Sequence, residues 1–176
     1  LFAMKFGIIK ERKNPPDRRV VFTPEELVRL QSEHPEAEIK VESSDIRIFS
    51  DNQYRNLGLN VTTDMTDCDV LFGVKEVPID ALIPNKKYFF FSHTIKKQPY
   101  NRKLLQAILA KNIELYDHET IVDATNHRLI GFGRYAGLVG AYNGFRGFGI
   151  IYDLFTLPKA ETLNGKEDLI ARLKRQ

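Results

Sequence analysis

The stretch Asp69–His93, DVLFGVKEVPIDALIPNKKYFFFSH, decides the fold. It contains two continuous apolar runs, residues 69–74 and 88–92. Unbroken runs of this kind are strands of a parallel sheet covered on both faces. An ionisable residue follows each run directly, Lys75 after the first and His93 after the second. Open α/β sheets bind ligands beyond the carboxyl ends of their strands. The same stretch therefore marks where chemistry is to be sought.

Working outward, strands and helices alternate. Lys5–Lys10 reads as a short apolar strand, followed by a charged loop, 11–19, with two prolines. Thr23-Pro24-Glu25-Glu26 starts a helix: Thr23 caps, Pro24 takes the first helical position and Glu26 closes a capping box. That helix turns Leu27 and Leu30 inward and stops before Pro35. Glu38–Glu42 alternates like a strand, and Ser50 caps a short helix that ends at Gly58. Residues 101–111 form an amphipathic helix with Leu104, Leu105, Ile108 and Leu109 predicted to face inward. Ile113–Tyr116 is the next strand, and 128–132 either extends the sheet or forms a hairpin. The predicted class is α/β, a mostly parallel twisted sheet flanked by helices.

Residues 134–155 read as one long helix with a small-residue stripe, Gly133, Gly137, Gly140, Ala141 and Gly144. Glycine weakens a helix, so another backbone is expected to approach this face closely. Beyond Pro158, Lys159–Gln176 reads as a linker and a charged helix. Ahead of Met4, Leu1–Ala3 read as a non-native remnant. One motif is a decoy: Gly131–Ala136, GFGRYA, fits the dinucleotide fingerprint G-x-G-x-x-A, and Asp153 lies downstream. That chemistry needs a strand before the turn and an acid at the end of a second strand. Here Asp153 falls in the same helical segment, so the glycines are read as a packing face.

With 176 residues and 43% hydrophobic content, the chain can build one globular domain with a core. The net charge is +3, and Lys and Arg are mixed with acids along the whole length, so a nucleic-acid stripe is absent and small anionic ligands fit better. The single cysteine, Cys68, excludes an internal disulfide and a thiolate metal cluster, and is expected to pack in the core. These features read as cytosolic, with no membrane span.

The candidate chemical groups are Lys75, His93, Arg19 in the loop after the first strand, and Glu119 after ELYDH. A lysine beside low-dielectric walls can serve as a base and a histidine as an acid. Arg19 can hold a carboxylate bidentately. Plainer readings stand beside these: a solvated strand-end lysine, a packed histidine, and Arg19 paired with Asp17 or Glu11. His34 reads as the end of a surface helix and His118 as pointing to solvent.

The motifs Lys10–Pro24 (KERKNPPDRRVVFTP), Gly73–Glu76 (GVKE), FFFSH ending at His93 and Arg128–Gly137 (RLIGFGRYAG) together resemble the N-terminal domain of the alanine dehydrogenase/pyridine nucleotide transhydrogenase superfamily. The stretch LYDHETIVDATNHRLIGFGRYAG resembles its saccharopine dehydrogenases of the lysine-forming type. The resemblance covers roughly 4–157. It implies a Rossmann-like substrate domain without the dinucleotide fingerprint at 4–133, a connector helix at 134–157, and a linker at 158–176 toward an NAD-binding domain missing from the chain. It implies Lys75 as general base and substrate contact and His93 as general acid. Arg19, Gln98, Arg128 and Phe132 are implied as substrate contacts, and Lys13 and Glu119 as charged neighbours that tune the site. His127 stands where the family has a cofactor-facing arginine, which weakens direct nucleotide contact here. The implied reaction is NAD-dependent oxidative deamination of saccharopine to lysine and 2-oxoglutarate, or its reverse, with NADP and oligomer formation left open. An alanine dehydrogenase, or a non-catalytic binding module of the same fold, remains the alternative. The alternatives separate on whether a two-carboxylate product such as 2-oxoglutarate binds.

Overall fold

The computed structural model describes residues 4–176. Leu1–Ala3 lie outside the described residues. The chain divides into two compact units, one running to Ile130 and the other Gly131–Gln176.

In the first unit six strands form one sheet: β1 (Lys5–Ile8), β2 (Glu38–Glu42), β3 (Asn60–Thr62), β4 (Val70–Phe72), β5 (Lys87–Phe90) and β6 (Glu114–Asp117). Their order is β3-β2-β1-β4-β5-β6, and every pairing is parallel. The chain winds outward from β1 to β3, returns, and winds the other way from β4 to β6. β1 and β4 are therefore neighbours from which the connections leave in opposite directions, which is the topological switch point of a doubly wound sheet. The three residues of β3 carry too short a pattern to announce a strand, and the sequence reading misses it.

Each face carries its own core. Leu71, Tyr88 and Phe90 pack with Leu104 and Ile108 of helix α3 (Arg102–Ala110) on one face. Ile8 and Val41 pack with Leu27 of α1 (Pro24–Glu33) and Tyr54 of α2 (Asp51–Asn56) on the other. Neighbouring strand residues point to opposite faces, so Leu71 and Phe72 serve different cores. Burying each such side chain is worth about 1.5–3 kcal/mol. On the α1 face Phe6, Phe72, Phe89 and Tyr116 form an aromatic ladder across four strands, with ring centroids 6.2, 4.7 and 4.6 Å apart.

The helix starts follow the sequence. Thr23 and Ser50 both make capping boxes, with Glu26 and Gln53. In α3 the expected inward set is corrected: Leu105 is 40% and Leu109 71% exposed. Adjacent helical residues point about 100° apart, so only one residue of each pair, Leu104 and Ile108, meets the sheet. After β6 the chain makes one antiparallel bridge, Val122 to Arg128, a small hairpin.

The second unit holds α4 (Gly133–Ile151) and α5 (Lys166–Leu173), closed around Tyr142, Leu157 and Leu169. The Tyr142 hydroxyl donates to the Pro158 carbonyl at 2.9 Å and Arg146 Nε to that of Leu157 at 3.0 Å. The helix ends earlier than the predicted 155. Asp153 enters the left-handed region at φ 51°, and the Leu154 N–H returns to the Gly149 carbonyl at 3.0 Å. Asp153 therefore stands past the helix rather than within it. A Cβ placed on Gly137, Gly140 or Gly144 would meet nothing within 4 Å among the described residues, so the close backbone neighbour expected there is not among them.

At Gly7 of β1 the space is taken: a Cβ would lie 2.7 Å from Leu71 Cδ2 and 3.0 Å from Met65 Sδ. Gly7→Ala is expected to destabilise the chain by about 1–3 kcal/mol, read as a lower urea midpoint with an unchanged denaturant slope.

Candidate active site

The loops after β1, β4 and β5 meet at the switch point. Glu11, from the loop after β1, is buried to 7% exposure, and its two carboxylate oxygens accept the N–H groups of Val74 at 2.7 Å and Lys75 at 2.8 Å. Burial pushes the Glu11 carboxyl above the usual range, against the pull of those two amides. Gly73 leaves room for this approach, since a Cβ there would sit 3.0 Å from Ile9 and 3.6 Å from Glu11 Oε1. The Phe91 N–H donates to the Val74 carbonyl at 3.0 Å, which keeps the ends of β4 and β5 in step.

His93 sits at φ 55°, a left-handed conformation uncommon outside glycine. Its Nδ1 lies 2.5 Å from Glu76 Oε1. Glu76 Oε2 receives Lys13 Nζ at 3.1 Å. Burial alone would push Glu76 up. Its own backbone N–H, His93 and Lys13 outweigh burial and hold it below the usual carboxylate range. An ionised carboxylate only accepts, so Nδ1 carries the shared proton. Among the described residues His93 Nε2 and Lys75 Nζ have no hydrogen-bond or ion-pair partner. Asn101 steadies the bend by donating to the His93 carbonyl at 3.1 Å.

Three further cations, Arg19, Lys96 and Arg128, are held by carboxylates. Arg19 Nε donates to Asp17 Oδ1 at 2.9 Å and Nη2 to Oδ2 at 2.5 Å, the pairing that the plainer reading allowed. Arg128 Nη2 and Lys96 Nζ lie 3.6 and 3.4 Å from Glu119 Oε1, while Glu119 Oε2 is buried without a partner among the described residues. The Glu119 backbone is fixed by Asp117, whose Oδ1 accepts its N–H at 2.9 Å and whose Oδ2 accepts the Ser92 hydroxyl. Gln98 accepts the Tyr100 hydroxyl. His127 stands apart on an exposed turn, 2.7 Å from Thr125 Oγ1. Phe132 precedes α4 in the second unit.

His118 is corrected. It is buried to 5% exposure, with Nε2 3.0 Å from the Gly73 carbonyl oxygen and its ring edge-on to Phe91 at 5.1 Å. It follows the last strand residue at the sheet's edge, and the 3-10 turn His118–Thr120 folds its ring back over the strand ends. Glu76 and Glu11 were missed as site residues, although Glu76 follows Lys75 directly. No spacing in a linear sequence distinguishes a solvated acid from one that turns back onto a histidine.

The loop after β1 contains no glycine between Ile9 and Thr23, and the N-terminus of α1 is closed by its own capping box. A dinucleotide pyrophosphate needs both features open, so these residues do not fit one. A hollow of about 610 Å³ lies at the opposite, amino ends of the strands, near Pro35, Ala37, Leu57 and Asn60, and brings no cation to an anionic ligand.

The model of the alanine dehydrogenase/PNT N-terminal domain family matches residues 7–139. The chain belongs to this family. An alpha-aminoadipic semialdehyde synthase of Arabidopsis thaliana is 35% identical over 147 residues, 81% of this chain and 14% of that protein. A saccharopine dehydrogenase [NAD(+), L-lysine-forming] of Yarrowia lipolytica is 25% identical over 175 residues, 95% of this chain and 47% of that protein. The chain thus spans between about a seventh and half the length of these relatives. A solved L-alanine dehydrogenase shares the fold, with a TM-score of 0.65 at 19% identity, covering 86% of this chain and 42% of that one. Among the described residues no helix is long and apolar enough to cross a membrane.

The Arg19–Asp17 pair has a pH signature. The Arg19 hydrogen bonds hold Asp17 below its ordinary value of 3.8. A depressed carboxylate contributes stability above its unfolded pKa, and that contribution disappears as pH falls through the folded one. Arg19→Ala is expected to cost up to about 1 kcal/mol at pH 7. Denaturant unfolding at pH 7 and again below pH 3.8 should show the difference between variant and parent shrinking.

Proposed function

We propose that this domain is the substrate side of a two-domain, NAD-dependent saccharopine dehydrogenase, working with lysine and 2-oxoglutarate on one side of the reaction and saccharopine on the other. The carrying observation is the His93–Glu76 pair at the switch point, with Lys75 preceding Glu76 in the chain and its Nζ, among the described residues, without a hydrogen-bond or ion-pair partner. The match to a lysine-forming saccharopine dehydrogenase, over 95% of this chain and 47% of that protein, supports the choice of substrate.

Saccharopine deamination needs protons moved at a secondary amine and at the hydroxyl of a carbinolamine. Glu76 fixes the His93 tautomer, so Nε2 offers the lone pair or the proton, as the step requires. Lys75 Nζ is the second proton carrier. Arg19, Arg128 and Lys96 meet carboxylates of the substrate, with Gln98 and Phe132 as further contacts. Lys13 and Glu119 set the charge around the pair. Hydride chemistry belongs to NAD on a downstream domain, because the loop after β1 does not fit the dinucleotide. The 134–157 segment is the connector to that domain and 158–176 the linker into it.

In the full-length protein, Lys75→Met and His93→Gln are each expected to lower kcat for saccharopine oxidation by about 10²–10⁴. Unchanged turnover in both would make the domain a non-catalytic module. Titration calorimetry should show 2-oxoglutarate binding to the full-length protein with NAD; loss of that binding in favour of pyruvate would move the assignment to an alanine dehydrogenase.

A further inference from the structure

We propose that His118 is a positioning residue, which together with Glu11 clamps the main chain at 73–75 and so holds Lys75 in place for proton transfer. The inference rests on the reading of Lys75 given above. The segment has left the regular strand but stays pinned at nearly every polar group. The Gly73 N–H donates to the Phe89 carbonyl at 2.8 Å, and the Val74 carbonyl accepts the Phe91 N–H at 3.0 Å. Glu11 takes the Val74 and Lys75 N–H groups from the β1 side. The Gly73 carbonyl is met by His118 Nε2 at 3.0 Å from the β6 side.

The bond dictates the tautomer. A carbonyl only accepts, so Nε2 carries the proton. Burial holds His118 below its ordinary value, which keeps the ring neutral and leaves Nδ1 as a lone pair. Among the described residues that buried Nδ1 has no donor. A leucine would avoid the orphaned acceptor, and an orphan of this kind destabilises a fold. What histidine supplies and leucine cannot is the N–H to Gly73. Its ring reaches that carbonyl across β5, held edge-on by Phe91.

The test uses the full-length protein with NAD and saccharopine, and compares Lys75→Met, His118→Gln, His118→Leu and His118→Asn. Glutamine puts an amide N–H where Nε2–H stands. Leucine keeps bulk without a donor, and asparagine is too short to reach Gly73. His118→Leu and His118→Asn are expected to lose at least about tenfold in kcat, with KM for saccharopine within about threefold of the parent. His118→Gln should restore kcat to within about threefold. Thermal melts check that each variant is folded, and either donor-less variant suffices for the comparison with glutamine. Equal kcat among the three His118 variants overturns the positioning role, as does a loss carried by KM alone. Full activity of Lys75→Met overturns the reading of Lys75 and the clamp with it. An inactive Lys75→Met beside a fully active His118→Leu overturns the clamp only.

Discussion

The pairing of β1 with β4 is the constraint from which the rest follows. Both strands run parallel, and the chain reaches them from opposite winding directions. No loop then crosses between their carboxyl ends, the place where doubly wound sheets bind ligands. Glu11 and Lys75 leave these two strands, and the carboxylate joins them with two amide hydrogen bonds. His93 arrives from β5, one strand further along. A parallel sheet carries all these loops to the same edge, so residues distant in sequence meet without a dedicated scaffold.

The electrostatics of that edge rest on carboxylates more than on cations. Glu76 orients His93, Asp17 engages Arg19, and Glu119 faces Lys96 and Arg128. Arg19, Arg128 and Lys96 thus each have an acidic counterpart, while Lys75 Nζ has none among the described residues. This arrangement keeps a cluster of positive groups stable while the site is open to water. The same switch point holds a dinucleotide in other doubly wound sheets. Here the loop after β1 has no glycine between Ile9 and Thr23, and the helix N-terminus is closed by its own capping box.

Much of this was legible along the chain. Continuous apolar runs announced buried parallel strands, and Thr23 and Ser50 announced helix starts, because both signals act over a few residues. Lys75 and His93 were visible because strand ends are visible. Nothing local marks Glu11 or Glu76 as site residues, and the sequence alone points His118 to solvent. Their roles depend on contacts spanning 63, 17 and 45 residues, and nothing local encodes such a meeting. The paired leucines of α3 were overread for a related reason: periodicity tells which residues share a face but not how wide a face the sheet will cover.

By itself, the sequence determined the alternation of strands and helices, the caps, and the ionisable residues that end β4 and β5. These depend on backbone preference and side-chain period, which are properties of short segments. Only the tertiary structure decided which acid meets which base, that His118 turns inward, and that β1 and β4 stand side by side. Those outcomes come from burial and strand order, where a group's partner and its proton affinity are set by residues brought from elsewhere in the chain.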